Sequence, residues 1–203
     1  MRNMSEKEIV IRGWNEIAPA YHANRNKEKI NPELQRFVEL LPEKAQVLDV
    51  GSGSGIPVAK YLSNAGLKVT GIDISDIMIQ MAKKNVPQAN FINMDMTEID
   101  FSENQFDGVI SVFSLFHVAK KDHFSIFKKF HDILKPGGIL LINTGINESE
   151  GISNFFGVPM FWSNHAPNKT LELVKKSEFS IIFEGVLLRG GELQYWIYAE
   201  NIK

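Results

Sequence analysis

Two hydrophobic periods alternate along this chain, one suited to helices and one to buried strands. Trp14, Ile17 and Tyr21 fall at helical spacing within residues 5 to 20, which predicts an amphipathic helix there. Ser5 and Glu8 have the spacing of a capping box, while Pro19 and the polar run Asn24 to Lys29 are expected to end the helix. Asn31-Pro32 offers a cap with proline at the first helical position. A second helix follows with Leu34, Phe37, Val38 and Leu41 inward, stopped by Pro42. Val47 to Val50 is the first apolar strand run. Val58 to Asn64 is a helix ended by Gly66, and Leu67 to Asp73 is the second strand. Ser75 can cap a helix carrying Ile77, Met78 and Met81. Asn90 to Asp95 and Phe106 to Phe113 read as strands three and four. Phe124, Ile126, Phe127, Phe130, Ile133 and Leu134 make a helix stripe, Pro136-Gly137-Gly138 a turn, and Ile139 to Asn143 strand five. This alternation predicts a doubly wound α/β fold around a parallel sheet.

The rhythm breaks at residues 145 to 168. Five glycines and prolines lie there (Gly145, Gly151, Gly157, Pro159, Pro167), with Phe155, Phe156, Phe161 and Trp162 among them. A connection this long is expected to be a functional loop rather than a plain link. Lys169 to Lys176 then reads as a helix. Ile181 to Leu188 and Leu193 to Ala199 are β-rich and joined only by Arg189-Gly190-Gly191-Glu192. So short a link cannot make a parallel crossover, so the pair is expected to be an antiparallel hairpin. The whole chain, 1–203, reads as one domain, with 1–42 a helical cap on the N-terminal side and 145–168 an insertion.

Composition narrows the function. The 203 residues are 44% hydrophobic and 23% charged, with net charge −2 and no basic run, which argues against a nucleic-acid partner. There are no cysteines, so disulfides and thiolate metal sites are excluded, and a cytoplasmic location is expected. No apolar run is long enough for a membrane span, and Met1 to Val10 lacks the apolar stretch of a signal peptide.

The most informative stretch is Val47-Leu48-Asp49-Val50-Gly51-Ser52-Gly53-Ser54-Gly55. A strand that breaks into glycines before a helix is expected to present bare backbone amides at the C-terminal edge of the sheet, where ligands of doubly wound folds lie. A dinucleotide loop requires Gly-x-Gly-x-x-Gly. Here the third glycine comes one place early, and no Gly-Lys-Ser/Thr ending marks a P-loop. An acid, one residue, then Gly-x-Gly-x-Gly resembles motif I of the class I S-adenosylmethionine-dependent methyltransferases. Leu134-Lys135-Pro136-Gly137-Gly138 before strand five and the Trp14-to-Tyr21 segment extend the resemblance to the small-molecule, ubiquinone-biosynthesis-like (type 11) branch. It implies a Rossmann-like, doubly wound, mainly parallel sheet of seven strands ending in the antiparallel hairpin.

The resemblance also implies roles. Asp49, Asp73 and Asp95 end three consecutive strands, so all three line one sheet edge. Asp73 matches the acid whose two oxygens accept the ribose hydroxyls; its other reading is a helix cap. Asp95 with Met96 resembles the adenine reader, or else is an ordinary loop acid. Ile74 and Met78 resemble the apolar pair that sandwiches adenine, although Met78 suits core filling equally. Asp49 acts through the loop backbone, a water or the ligand's amino group. Gly51 turns the loop, and Ser52, Gly53 and Gly55 touch the methionine end by backbone. Ser111 offers its carbonyl to the amino group. Tyr21 folds over the cofactor or packs its helix on the sheet. In Ser111 to Val118 the family often has two adjacent histidines. Here the first is Phe116, so His117 alone is left as a catalytic base or a loop anchor. His22, His123, His131 and His165 read as surface histidines, and no metal site is expected.

The implied activity is methyl transfer from S-adenosylmethionine to a small-molecule acceptor, releasing S-adenosylhomocysteine, by in-line displacement that needs positioning and desolvation more than a strong base. The alternatives are an NAD(P)-dependent oxidoreductase, against which the glycine spacing speaks, and a non-catalytic cofactor- or partner-binding protein on the same fold. The aromatic patch also suits a homodimer contact.

Overall fold

A computed structural model describes residues 4–24, 32–189 and 191–203. The expected polar run after Asn24, the cap at Asn31 and Gly190 of the last turn lie outside the described residues.

A seven-stranded sheet in the order β3-β2-β1-β4-β5-β9-β8 forms the centre. Strands β1 (Gln46–Val50), β2 (Lys68–Asp73), β3 (Asn90–Asn93), β4 (Phe106–Ser111) and β5 (Leu134–Thr144) are mutually parallel. β9 (Glu192–Asn201) slots antiparallel between β5 and β8 (Phe179–Arg189). The expected hairpin is therefore the sheet's far edge. The central strands are apolar on both faces because helices cover both. One core layer joins Phe127, Phe130 and Val174 of α5 (His123–Ile133) and α6 (Pro167–Lys176) to one sheet face. The other joins Phe37, Leu62, Ile79 and Ala82 of α2 (Pro32–Glu39), α3 (Val58–Asn64) and α4 (Asp76–Asn85) to the opposite face.

Local signals explain several ends. The Ser5–Glu8 capping box closes as expected: the Ser5 amide donates to the Glu8 carboxylate at 2.7 Å and the Glu8 amide to Ser5 Oγ at 3.3 Å. Ser75 Oγ caps α4 by accepting from the Met78 amide at 3.1 Å. Pro19, however, does not end the first helix. α1 runs Glu6–Asn24 through it, because Ile17 and Tyr21 on either side of the proline are held by apolar packing, which outweighs one lost helix hydrogen bond.

Four further expectations change. Residues 145–168 do not form a loop: β6 (Ser149–Phe155) and β7 (Val158–Asn164) pair antiparallel as a separate two-stranded sheet. β3 stops at Asn93, so Asp95 lies two residues beyond it, capping a 3-10 turn by accepting from the Thr97 amide at 2.8 Å. Phe124 is 42% exposed rather than part of the inward stripe. His123 and His131 are buried, not superficial, and His123 Nε2 pairs with the Val118 carbonyl at 3.0 Å.

The hairpin β6–β7 and α1 share a small core of their own. Val10 and Ile17 of α1 meet Val158, Met160 and Phe161 of β7, with Trp14, Tyr21, Phe155 and Trp162 at its margin. Close approach is possible because Gly13 has no side chain: a Cβ there would lie 2.8 Å from Met160 Cε. These two segments roof the C-terminal edge of the parallel strands.

Candidate functional site

Beneath that roof lies a cleft of about 770 Å³. Its floor is the glycine turn, built by backbone hydrogen bonds to the neighbouring strand. The amides of Gly51 and Ser52 donate to the Ile72 carbonyl at 2.8 and 2.9 Å, and the Gly55 amide donates to Ser52 at 3.0 Å. The Gly53 amide donates to Asp73 Oδ2 at 2.8 Å. The expectation of bare amides is thus not met, since the turn spends these four on its own structure. Gly51 has φ +73° and lies under Ser114, whose Cβ would be 2.3 Å from any Cβ at 51. Ser114 Oγ donates to the Val50 carbonyl at 2.9 Å, which leaves Ser111 Oγ, 2.8 Å away, as donor to Ser114. This pair pins the end of β4 to the end of β1.

Gly51, Gly53, Asp73, Ile74, Met78, Asp95, Met96, Tyr21 and His117 all line the cleft. Asp49, Ser52, Gly55 and Ser111 are not among its lining residues. Asp49 is 2% exposed. Gly55 faces the core, where a Cβ would come within 3.1 to 3.4 Å of Val86, Phe91 and Ala82.

The two acids on the wall differ in state. Asp73 Oδ1 accepts from the Ser75 amide at 2.9 Å and Oδ2 from Gly53. Burial pushes its pKa up to about 6 despite these two amides, which favour the carboxylate. Asp95 is also penalised by burial, but a hydrogen bond from Lys7 and the Thr97 amide prevail and hold its pKa below the ordinary carboxylate range. Lys7 Nζ sits 2.7 Å from Asp95 Oδ2 and 2.9 Å from Glu98 Oε1.

Lys7 belongs to a wider pattern. α1 lies across the three strand ends and reaches each by a polar side chain. Lys7 meets Asp95 after β3. Asn15 Oδ1 accepts from Ser75 Oγ at 2.6 Å after β2, and His22 Nδ1 is 2.8 Å from Ser54 Oγ after β1. His22 is therefore an interface group, not a surface histidine.

His117 sits where the roof meets the wall. Its Nδ1 lies 2.9 Å from the Phe161 carbonyl. A carbonyl only accepts, so Nδ1 carries the proton and Nε2 is the bare acceptor of a neutral ring. Nε2 is buried without a hydrogen-bond partner. Burial lowers the ring's pKa to about 4, against the opposing effect of the Phe161 bond. Trp162, Phe116 and Trp14 surround it, with ring centres 4.6, 5.0 and 5.3 Å away.

Sequence reasoning missed Val10, Ser54, Met94, Val112, Phe113, Ser114 and Val118 as lining residues. Met94, Val112 and Phe113 sit one or two places beyond the ends of β3 and β4, strands that were expected to run on to Asp95 and Phe113. Lys7 and Asn15 left no signal in the strand pattern. Among the described residues no group of histidines, aspartates and glutamates could hold a metal, and no helix is long and apolar enough to cross a membrane.

The family described as "Methyltransferase domain" matches residues 47–138, from the strand into the glycine turn to the turn before the apolar part of β5. An uncharacterized methyltransferase of Oceanobacillus iheyensis is 26% identical over 178 residues, covering 87% of this chain and 74% of the relative. A Bacillus subtilis protein named as a methyltransferase, YqeM, is 31% identical over 156 residues, 70% of this chain and 62% of its own length. Among solved structures, a Methanosarcina mazei protein titled a SAM-dependent methyltransferase superposes with a TM-score of 0.74 at 23% identity, over 86% of this chain and 99% of that one. The last likeness concerns the fold. The matched family and the relatives make residues 47–138 a methyltransferase domain, set in the fold shared with that S-adenosylmethionine-dependent methyltransferase.

Proposed function

We propose that the cleft holds S-adenosylmethionine and that the protein transfers its methyl group to a small-molecule acceptor under the roof of α1 and β6–β7. One observation carries the reading. A carboxylate, Asp73, is fixed by two amides at the C-terminal end of β2 and faces a cleft whose other wall residues include Asp95, His117 and Tyr21. Among the described residues no lysine or arginine lines that cleft, so its field suits a cationic ligand.

The residues fit the cofactor. Each Asp73 oxygen accepts one amide and retains capacity for a ribose hydroxyl. Ile74, Met78 and Met96 supply apolar surface for adenine beside Asp95. Gly51 and Gly53 keep the turn free of side chains where the methionine end lies, with Asp49, Ser52, Gly55 and Ser111 supporting the turn from behind. When bound, the cofactor supplies an electrophilic methyl on a sulfonium. The chain's part is positioning and exclusion of water. Tyr21 and Trp14 close the roof side, and Nε2 of His117 is the group placed to take up a proton from the acceptor. In this reading α1, α2 and the hairpin are the cover of one domain. An oxidoreductase is not favoured, since the turn departs from the dinucleotide spacing and the family match lies elsewhere.

Titration calorimetry tests this. S-adenosylhomocysteine should bind and NADP should not. Asp73→Ala should weaken S-adenosylhomocysteine at least about tenfold, because a hydrogen bond to a charged group contributes roughly 1.5–3 kcal/mol. NADP binding without S-adenosylhomocysteine binding would sink the reading.

A further inference from the structure

Asp95 stands between two cavities. It lines the cleft, and it also lines a neighbouring cavity of about 660 Å³ together with Ser5, Glu6, Lys7 and Thr97. Lys7 lines that second cavity and not the cleft. Its ammonium therefore reaches the Asp95 carboxylate from behind, with Nζ 2.7 Å from Oδ2. The Thr97 amide holds Oδ1 at 2.8 Å, and Glu98 Oε1 steadies the ammonium at 2.9 Å. One donor on each oxygen fixes the plane of the carboxylate. An ionised oxygen has room for about two donors, so both keep capacity on the cleft side. Of the three side chains that tie α1 to the strand ends, Asn15 and His22 meet serine hydroxyls, whereas Lys7 makes an ion pair with a wall residue of the cleft. An exposed ion pair holds a helix down only weakly. A cation on a carboxylate whose side chain is only 8% exposed does more, because it sets where that carboxylate can accept.

We propose that Lys7 is a positioning residue for the nucleobase: from the roof, it sets the Asp95 carboxylate to accept the exocyclic amine of the cofactor's adenine, so that docking of α1 and selection of an aminated purine are one event. The proposal rests on the methyl-transfer reading above, which puts adenine beside Asp95, and it adds the group that sets the specificity there. Without Lys7, a carboxylate this buried is free to turn about its Cβ–Cγ bond or to take up a proton, and a protonated oxygen meets the amine as donor against donor. Either change loses the amine. The competing account is that Lys7 only tethers α1. Loss of a mere tether loosens the roof over the whole ligand and weakens every ligand alike. Loss of a positioning group removes the preference for the amine.

Titration calorimetry with two ligands separates the accounts: S-adenosylhomocysteine and its purine analogue with hydrogen in place of the exocyclic amine. The unmodified protein should bind the first at least about tenfold more tightly, since a site built to meet a donor rejects the analogue lacking it. Lys7→Met keeps most of the stem and removes the charge. It should bring the two ligands to within about threefold of each other. Lys7→Arg restores a cation and should keep a preference of at least about fivefold. Asn15→Ala breaks a different tether of α1 and should weaken both ligands by one factor, leaving the preference at about tenfold. No preference in the unmodified protein, a full preference in Lys7→Met, a Lys7→Arg ratio as low as that of Lys7→Met, or an equal loss in Asn15→Ala overturns the proposal. If S-adenosylhomocysteine binds and the ratio ignores Lys7, only the role of Lys7 falls. If the unmodified protein does not bind S-adenosylhomocysteine at all, the methyl-transfer reading falls and takes this inference with it.

Discussion

The cleft has two sides made in different ways. The floor is backbone: the amides of Gly51, Ser52 and Gly53 bond to residues 72 and 73 of the adjacent strand, all within a stretch of consecutive strand, turn, helix and strand. The roof is side chains: five buried apolar residues from α1 and β7, plus three polar contacts from Lys7, Asn15 and His22 to the strand ends. A floor fixed by local backbone geometry tolerates almost no change in shape. A roof fixed by a small remote core is cheaper to open, because local unfolding follows the number of buried contacts that must be broken.

The sharpest way to break the floor is Gly51→Ala. The new Cβ would lie 2.3 Å from Ser114 Cβ at a φ of +73°, so left-handed strain and overpacking add together. A loss of about 4 kcal/mol is expected in urea unfolding. A loss below about 1 kcal/mol would mean that the floor is far more plastic than its hydrogen bonds suggest.

Met160→Ala acts on the roof alone. Met160 is fully buried against Gly13, and its truncation should cost about 2–3 kcal/mol. The loss should be local. Hydrogen exchange should accelerate in α1 and β6–β7 and stay unchanged in β1 and β4. Uniform acceleration would show that roof and floor unfold as one unit, which would erase the distinction.

The smallest effect separates the two sides by pH. Asp73, on the floor, has its pKa raised to about 6. Its contribution to stability is present below the ordinary carboxylate pKa of about 3.9 and is lost as pH rises through about 6. His117, under the roof, is depressed to about 4. Its contribution is present above the ordinary histidine pKa of about 6.5 and is lost as pH falls through about 4. The two slopes oppose each other between those limits. Relative to the unmodified protein, Asp73→Asn should therefore gain stability as pH rises from about 4 to 7, and His117→Phe should lose it. Melting temperatures measured across that range check this, and difference curves that stay flat would refute both shifts.

The floor was legible because its signals are local. Gly51 to Gly55, the acids at the C-terminal ends of β1 and β2, and the Ser75 cap each sit within a few residues of the geometry they cause. Even there the amides were misjudged, because hydrogen bonding to Ile72 depends on a strand that the glycine pattern does not mention. The roof was legible only as a position. Phe155, Phe161 and Trp162 flagged a functional segment, but its hairpin was missed: Gly and Pro suggested a loop, whereas Gly157 instead serves the turn between β6 and β7. Pro19 misled in the same direction, since tertiary packing decided the length of α1. Lys7 and Asn15 could not be read in advance, because each acquires its meaning from a partner far away in sequence.

That distance has a consequence for the chain as it is made. Val10 and Ile17 meet their β7 partners only at residues 158 to 161. During synthesis from the N-terminus, that face of α1 waits for some 140 further residues, roughly 7–30 s at ordinary elongation rates. Every strand of the parallel sheet is already made by then. The roof is thus the part of the protein that must be kept out of trouble longest while the ribosome is still working, and its few polar tethers to the strand ends are available well before its apolar partners are.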